Sequence, residues 1–125
     1  MTAEEDLVHL QNIAQCIMEI EGYSEDMSYE DFVADEEDKA AIIENLAQVG
    51  QAARLLSDDF KNQYDEIDFR VLEGLANAGY NDEMEIDHHA LFHIFTKDLP
   101  YIREKIFDAK LELENQIDIS EGDIL

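Results

Sequence analysis

Apolar residues recur every three or four positions along most of this chain. That spacing gathers them on one side of an α-helix and would scatter them over both faces of a strand. From Glu4 to Glu21 the series is Leu7, Leu10, Ile13, Ala14, Ile17 and Ile20, which predicts a first long helix with one buried stripe, ended by Gly22. Ser28, followed three residues later by Asp31, has the spacing of a capping box and opens a short helical turn that finishes near Ala34. Asp35 then caps a second long helix, whose first turn, Glu36-Glu37-Asp38, sets negative charge at the positive end of the helix dipole. Ala40, Ile43, Leu46, Ala47, Gly50, Ala53 and Leu56 line one side of it. Glycine inside a helix is less favourable than alanine by about 1 kcal/mol, so Gly50 predicts a place where another helix comes close.

Ser57-Asp58-Asp59 restarts a short helix reaching about Tyr64. Asp68 caps a third helix bearing Phe69, Leu72, Leu75 and Ala76, which fades at Gly79. Asp87 caps a fourth, with Leu91, Ile94, Phe95, Leu99, Ile102 and Ile106 on its inner face and an end near Leu113. Pro100 falls inside it and predicts a kink or a junction near Asp98. Helices joined by such short connections predict an all-α fold, an antiparallel four-helix up-and-down bundle with short additional helices, over residues 1–113. Residues 114–125 alternate acids with isoleucines and are expected to form a mobile acidic tail or to dock on a partner.

The chain has 125 residues, enough for one domain that buries roughly two-thirds of its unfolded surface without metals or disulfides. Its single cysteine, Cys16, lies in an apolar-periodic stretch and reads as a small buried residue, so nothing marks an oxidising compartment. The first residues lack the features of a signal peptide, and no apolar run approaches the roughly eighteen residues of a membrane span. A cytoplasmic protein with no membrane contact is expected.

Thirty-two acidic residues against eight basic ones give a net charge of −24. Nucleic acids are bound by basic side chains that displace counterions from phosphates, and here the few cations are scattered among acids. The charge therefore disfavours RNA and DNA and suits either a solvated shell, as in a high-salt cytoplasm, or a basic partner.

A set of short elements falls in order along the chain: Asp31-Phe32-Val33-Ala34-Asp35, Asn45-Leu46, Val49-Gly50-Gln51-Ala52-Ala53, Leu56-Ser57, Tyr64, Gly74-Leu75-Ala76-Asn77 and Asp98-Leu99-Pro100. From about Asp6 to Ile106 this frame resembles the HepT-like branch of the HEPN superfamily, helical ribonuclease toxins encoded beside a minimal nucleotidyltransferase antitoxin. The resemblance implies an Arg-x4-His-x-Tyr motif that opens on a Gly-Met-Arg-Asn run. Here Ala76 takes the Arg position, Asn81 the His and Glu83 the Tyr, with Asn77 and Tyr80 nearby. A shifted register that aligns Tyr80 with the Tyr puts Ala78 at the His and Glu73 at the Arg, and lacks the pair equally.

In the family, the His is thought to act as acid or base at the ribose 2′-hydroxyl while the Arg holds the phosphate, without a metal. Imidazole titrates near neutrality and guanidinium forks onto phosphate oxygens, whereas alanine does neither and an amide does not shuttle protons. Glu83 offers no phenol for the adenylylation that such an antitoxin performs. The resemblance thus implies a homodimer in which the motif-bearing segments face each other, through Leu72, Gly74, Leu75, Ala76, Ala78 and Gly79. It also implies a nucleotidyltransferase as partner, and the missing pair predicts a non-catalytic interaction module rather than a ribonuclease. A ribonuclease using other residues and a stand-alone acidic bundle that binds a basic protein are the alternatives. His88, His89 and His93 are the candidate metal ligands, with His89 and His93 at i and i+4 on one helix face and Glu85 and Asp87 nearby, and a structural or incidental role is preferred for them because no third ligand can be named. No cofactor is expected.

Overall fold

The computed structural model describes residues 3–77 and 88–124, with side chains through Ala76 and from His88 to Ile117. Among these residues the chain is all-α, in the order α1 (Ala3–Ser24), α2 (Tyr29–Ala34), α3 (Glu36–Leu55), α4 (Asp58–Gln63), α5 (Phe69–Gly74), α6 (His88–His93) and α7 (Leu99–Ile124). A 3-10 turn, Leu75–Asn77, follows α5, and a π-helical turn, Ile94–Asp98, joins α6 to α7.

Both α3 and α7 run antiparallel to α1. Towards α3, Cys16 meets Gln48 and Asp6 meets Ser57; towards α7, Glu21 meets Arg103 while Gln11 and Glu114 line one groove. Leu10, Ile13, Ile17 and Ile20 of α1, Ile42, Leu46 and Val49 of α3, and Ile102 and Ile106 of α7 form the centre of the core. Each such side chain contributes about 1.5–3 kcal/mol when fully withdrawn from water, so this stripe outweighs any single polar contact. The third position of the bundle is filled by α5 and its 3-10 turn, through Phe69, Leu72 and Leu75.

The predicted caps are formed. Ser28 and Asp31 make the reciprocal capping box of α2, with Asp31 N–H donating to Ser28 Oγ at 3.1 Å and Ser28 N–H to Asp31 Oδ2 at 3.2 Å. Asp35, Ser57 and Asp68 cap α3, α4 and α5. The proposed cap Asp87 lies outside the described residues.

Two boundaries and the width of one buried face differ from expectation. Helix α1 passes through Gly22 and ends at Ser24; the left-handed residue after it is Asp26, at φ 59°, a conformation that aspartate tolerates better than most residues. The buried side of α3 is wider than the predicted stripe. Ala40 is exposed, while Ile42, Asn45, Val49 and Ala52 are buried, because α1 covers one flank of α3 and the 3-10 turn covers the other. Helix α7 continues past Leu113 to Ile124, with Ile117 still packed against the core.

At Pro100 the kink takes the form of a π-helical turn. Leu99 N–H donates to Ile94 O, five residues back, and the helix changes register just before the residue that has no N–H to give. Thr96 Oγ1 also donates to Phe92 O at 2.6 Å.

Candidate functional site

The motif segment is positioned by its contact with α3. Asp68 Oδ1 accepts from Arg70 N–H at 3.2 Å and Val71 N–H at 3.4 Å, which starts α5. Phe69 and Leu72 turn into the core, and the helix then tightens so that Leu75 and Ala76 lie on α3. The contact falls at Gly50. A Cβ built there would sit 2.0 Å from Ala76 N, 2.6 Å from Ala76 Cα and 2.6 Å from Leu75 C, so two backbones touch where only a hydrogen fits. This is the close approach that Gly50 predicts.

Ala76, in the place where the resemblance puts the Arg, is a buried methyl with 5% exposure. It has neither charge nor donor to hold a phosphate. Of the residues proposed for contact between two copies, Leu72, Leu75 and Ala76 are already buried within one chain, and Gly74 is exposed. Asn77 is described only as part of the turn; Ala78, Gly79, Tyr80, Asn81 and Glu83 lie outside the described residues.

Two of the histidines, His88 and His89, pack around α2. His89 stacks on Tyr29, with ring centroids 4.0 Å apart and planes 13° from parallel, and His88 meets Phe32 edge-on at 6.0 Å. His93 is 67% exposed, and its Nε2 lies 3.9 Å from Asp98 Oδ1. Among the described residues no group of three or more His, Cys, Asp or Glu is arranged to hold a metal ion.

Other polar groups are tied into the fold. Burial, with Glu19 nearby, pushes the Cys16 thiol above its usual range, which keeps it protonated and unreactive. Four of the eight basic residues, Lys39, Lys61, Arg103 and Lys110, are held in ion pairs with Glu36, Glu73, Glu21 and Glu114. Between the end of α1, α2 and the start of α3 lies an open cleft of about 740 Å³, whose lining includes Glu25, Asp26, Asp31, Asp35, Glu36, Glu37 and Asp38. Such a cleft repels a phosphate backbone.

Two polar links went unforeseen from the sequence. Asp6 is buried, and its carboxylate accepts from Ser57 N–H at 2.8 Å and Ser57 Oγ–H at 2.6 Å; Ser57 Oγ in turn accepts from Phe60 N–H at 3.1 Å. The signal was present. Asp6, Leu10, Ile13, Ile17 and Ile20 share one helical line, so a carboxylate stood on the buried stripe. A second link, Tyr64 O–H donating to Glu112 Oε2 at 2.6 Å, pushes the phenol up to about 12, through burial first and the carboxylate second.

The fold defines the class of the described residues, a small all-α helical bundle in which the turn after α5 is seated on Gly50 of α3. The chain belongs to the ribonuclease HepT-like family, whose model matches residues 13–108. It is 27% identical over 97 residues to a protein of Thermococcus cleftensis named "Probable ribonuclease HepT", across 78% of this chain and 88% of that one. It is 24% identical over 97 residues to "Putative RNase MJ1380" of Methanocaldococcus jannaschii, across 78% of this chain and 89% of that one. To "Putative RNase MJ0127" of the same organism it is 26% identical over 112 residues, across 86% and 93%. No solved structure matches the chain. No helix among the described residues is long and apolar enough to cross a membrane.

Proposed function

We propose that this chain is a HepT-like bundle that does not cleave RNA and acts as a homodimeric interaction module, with a minimal nucleotidyltransferase as its partner. The observation that carries this reading is Ala76, a buried methyl at the motif's Arg position, whose backbone rather than its side chain makes the contact with Gly50. Two further features agree with it. Asn81 stands at the His position, and a net charge of −24 works against drawing RNA to the surface. Such a module keeps the bundle of its relatives while the group that would clamp a phosphate is gone.

The test is incubation of the purified protein with transfer RNA at low salt, followed by gel analysis of the products. Intact RNA is expected. Cleavage that disappears in Asn81→Ala or His93→Ala would overturn the reading in favour of a ribonuclease with other catalytic residues, the activity in the relatives' names. Co-purification of a small nucleotidyltransferase with the native protein checks the partner.

A further inference from the structure

A groove of about 490 Å³ runs between the antiparallel helices α1 and α7. Ala14, a buried residue, forms its floor, Met18, Phe107 and Leu111 give it apolar walls, and Gln11 and Gln15 stand along its α1 side. Met18 and Leu111 are 53% and 57% exposed. Apolar surface therefore lies open to water on a chain whose net charge is −24.

The rims of this groove are acidic. Both cations beside it are already neutralised, Arg103 by Glu21 at 2.7 Å and Lys110 by Glu114 at 2.7 Å. Glu104 and Asp108 share one helical line with Leu111 on the outer side of α7, where both are exposed and neither forms an ion pair among the described residues. On the α1 side, Gln15 Nε2 donates to Glu19 Oε1 at 3.3 Å, and the Glu19 carboxylate is exposed as well.

We propose that this groove takes the apolar face of a basic amphipathic helix supplied by another protein. The main chains of α1 and α7 are bonded within their own helices, so neither offers the row of N–H and C=O groups that an extended segment needs. A segment buried here has to satisfy its own backbone, as a helix does. From Gln11 to Met18 the groove runs about 10 Å, two helical turns, which suits apolar residues at i, i+3 and i+7. Charge then selects the flanks of that helix. Lysine or arginine beside its apolar stripe would face Glu104, Asp108 and Glu19, whereas an acidic helix or a second copy of this chain would set like charge against like. The inference goes beyond the function proposed above, since it gives the chemistry of a partner segment and holds whether or not RNA is cleaved or the partner is a nucleotidyltransferase.

Fluorescence anisotropy with two labelled synthetic peptides and the full chain tests it. Both peptides are made of leucine and lysine in the same proportion, about fourteen residues long; in one the leucines recur at helical spacing, and in the other they are scattered around the helix. The first is expected to bind about tenfold more tightly, and added salt to weaken both. The double variant Met18→Gln, Leu111→Gln, which keeps the net charge and changes only exposed positions, is expected to bring the first peptide down to the affinity of the second, with helix content by circular dichroism unchanged. Glu104→Gln with Asp108→Asn should weaken both peptides by about threefold. Tyr101→Gln, at a residue 67% exposed elsewhere on α7, should change neither. Equal binding of the two peptides would reduce the effect to bulk charge and overturn the proposal, as would a double variant that binds like the wild type or a Tyr101→Gln protein that loses as much. Sedimentation equilibrium covers the rival occupant: a wild-type dimer that Met18→Gln, Leu111→Gln disperses would place a second copy in the groove and overturn the proposal too.

Discussion

Helix α3 is held on its two flanks by different means. Towards α1 it meets side chains: Leu46, Val49 and Ala53 belong to the same buried cluster as Leu10, Ile13 and Ile17, and Cys16 reaches Gln48. Towards the 3-10 turn it meets backbone, with the Gly50 Cα facing Ala76 N and Cα. A contact made of many side chains yields gradually when one of them changes, because each contributes a small share. A contact made of two backbones depends on one hydrogen atom at position 50. The difference makes position 50 the more sensitive point of the two flanks. The turn is seated through main-chain atoms that any residue possesses.

The largest effect should come from breaking the backbone contact. Gly50→Ala places a methyl within 2.0 Å of Ala76 N, and what it meets is main chain rather than the movable end of a side chain. Overpacking of this kind is destabilising by about 3 kcal/mol, read as a lower midpoint in urea denaturation. An unchanged midpoint would show that the turn can lift off α3 freely and would remove the distinction between the two flanks. On the α1 side the corresponding test is Asp6→Ala, which deletes both bonds from Ser57 and leaves its hydroxyl and N–H short of a partner. A loss of about 2 kcal/mol is expected, smaller because the hydroxyl can turn and water can enter. Equal losses at the two sites would break the comparison.

Some of this was legible in the chain and some was not. The apolar spacing identified the long helices, and Ser28, Asp35, Ser57 and Asp68 located four helix starts, because periodicity and capping are local properties. Gly50 announced a close approach, since a glycine inside a helix asks for a reason. What touches it could not be read, because residues 50 and 76 are brought together only by the fold. The same holds for Asp6 with Ser57 and Tyr64 with Glu112, although Asp6 on its apolar line was a signal in plain view. The stripe on α3 was drawn too narrow because helical periodicity assumes one covered side, and α3 has two. At the motif, sequence alone showed which groups are absent, while the burial of Ala76 required the fold.

Tyr64 extends the comparison to a third kind of contact, a side-chain hydrogen bond between the end of α4 and α7. Tyr64→Phe removes the bond to Glu112 and should destabilise by about 1 kcal/mol near neutral pH. The pH dependence is more diagnostic. The folded phenol is pushed up to about 12 from an ordinary value of 10.0, so between these values the folded chain holds a proton that the unfolded chain has released. Stability from this group is complete below pH 10 and declines as the pH rises towards 12. Urea midpoints at pH 9 and 11.5 should therefore fall further in the wild type than in Tyr64→Phe. An equal fall in both proteins would mean that the phenol is not held by Glu112.

The smallest effect should have the opposite sign and comes from a glycine whose added Cβ would touch nothing. Gly22 lies inside α1, where a Cβ would meet no atom within 4 Å. Its backbone is helical, so alanine can adopt the same conformation, and the unfolded chain loses freedom it no longer has to surrender on folding. Gly22→Ala should raise stability by about 0.5 kcal/mol, with a matching rise in the urea midpoint. Two glycines given the same methyl group would then move in opposite directions. The sign depends on what lies across from the Cα: solvent at Gly22, and at Gly50 the main chain of the motif turn. A loss at Gly22 comparable to that at Gly50 would mean that the methyl harms α3 through the helix itself, and Ala76 would no longer explain why position 50 is glycine.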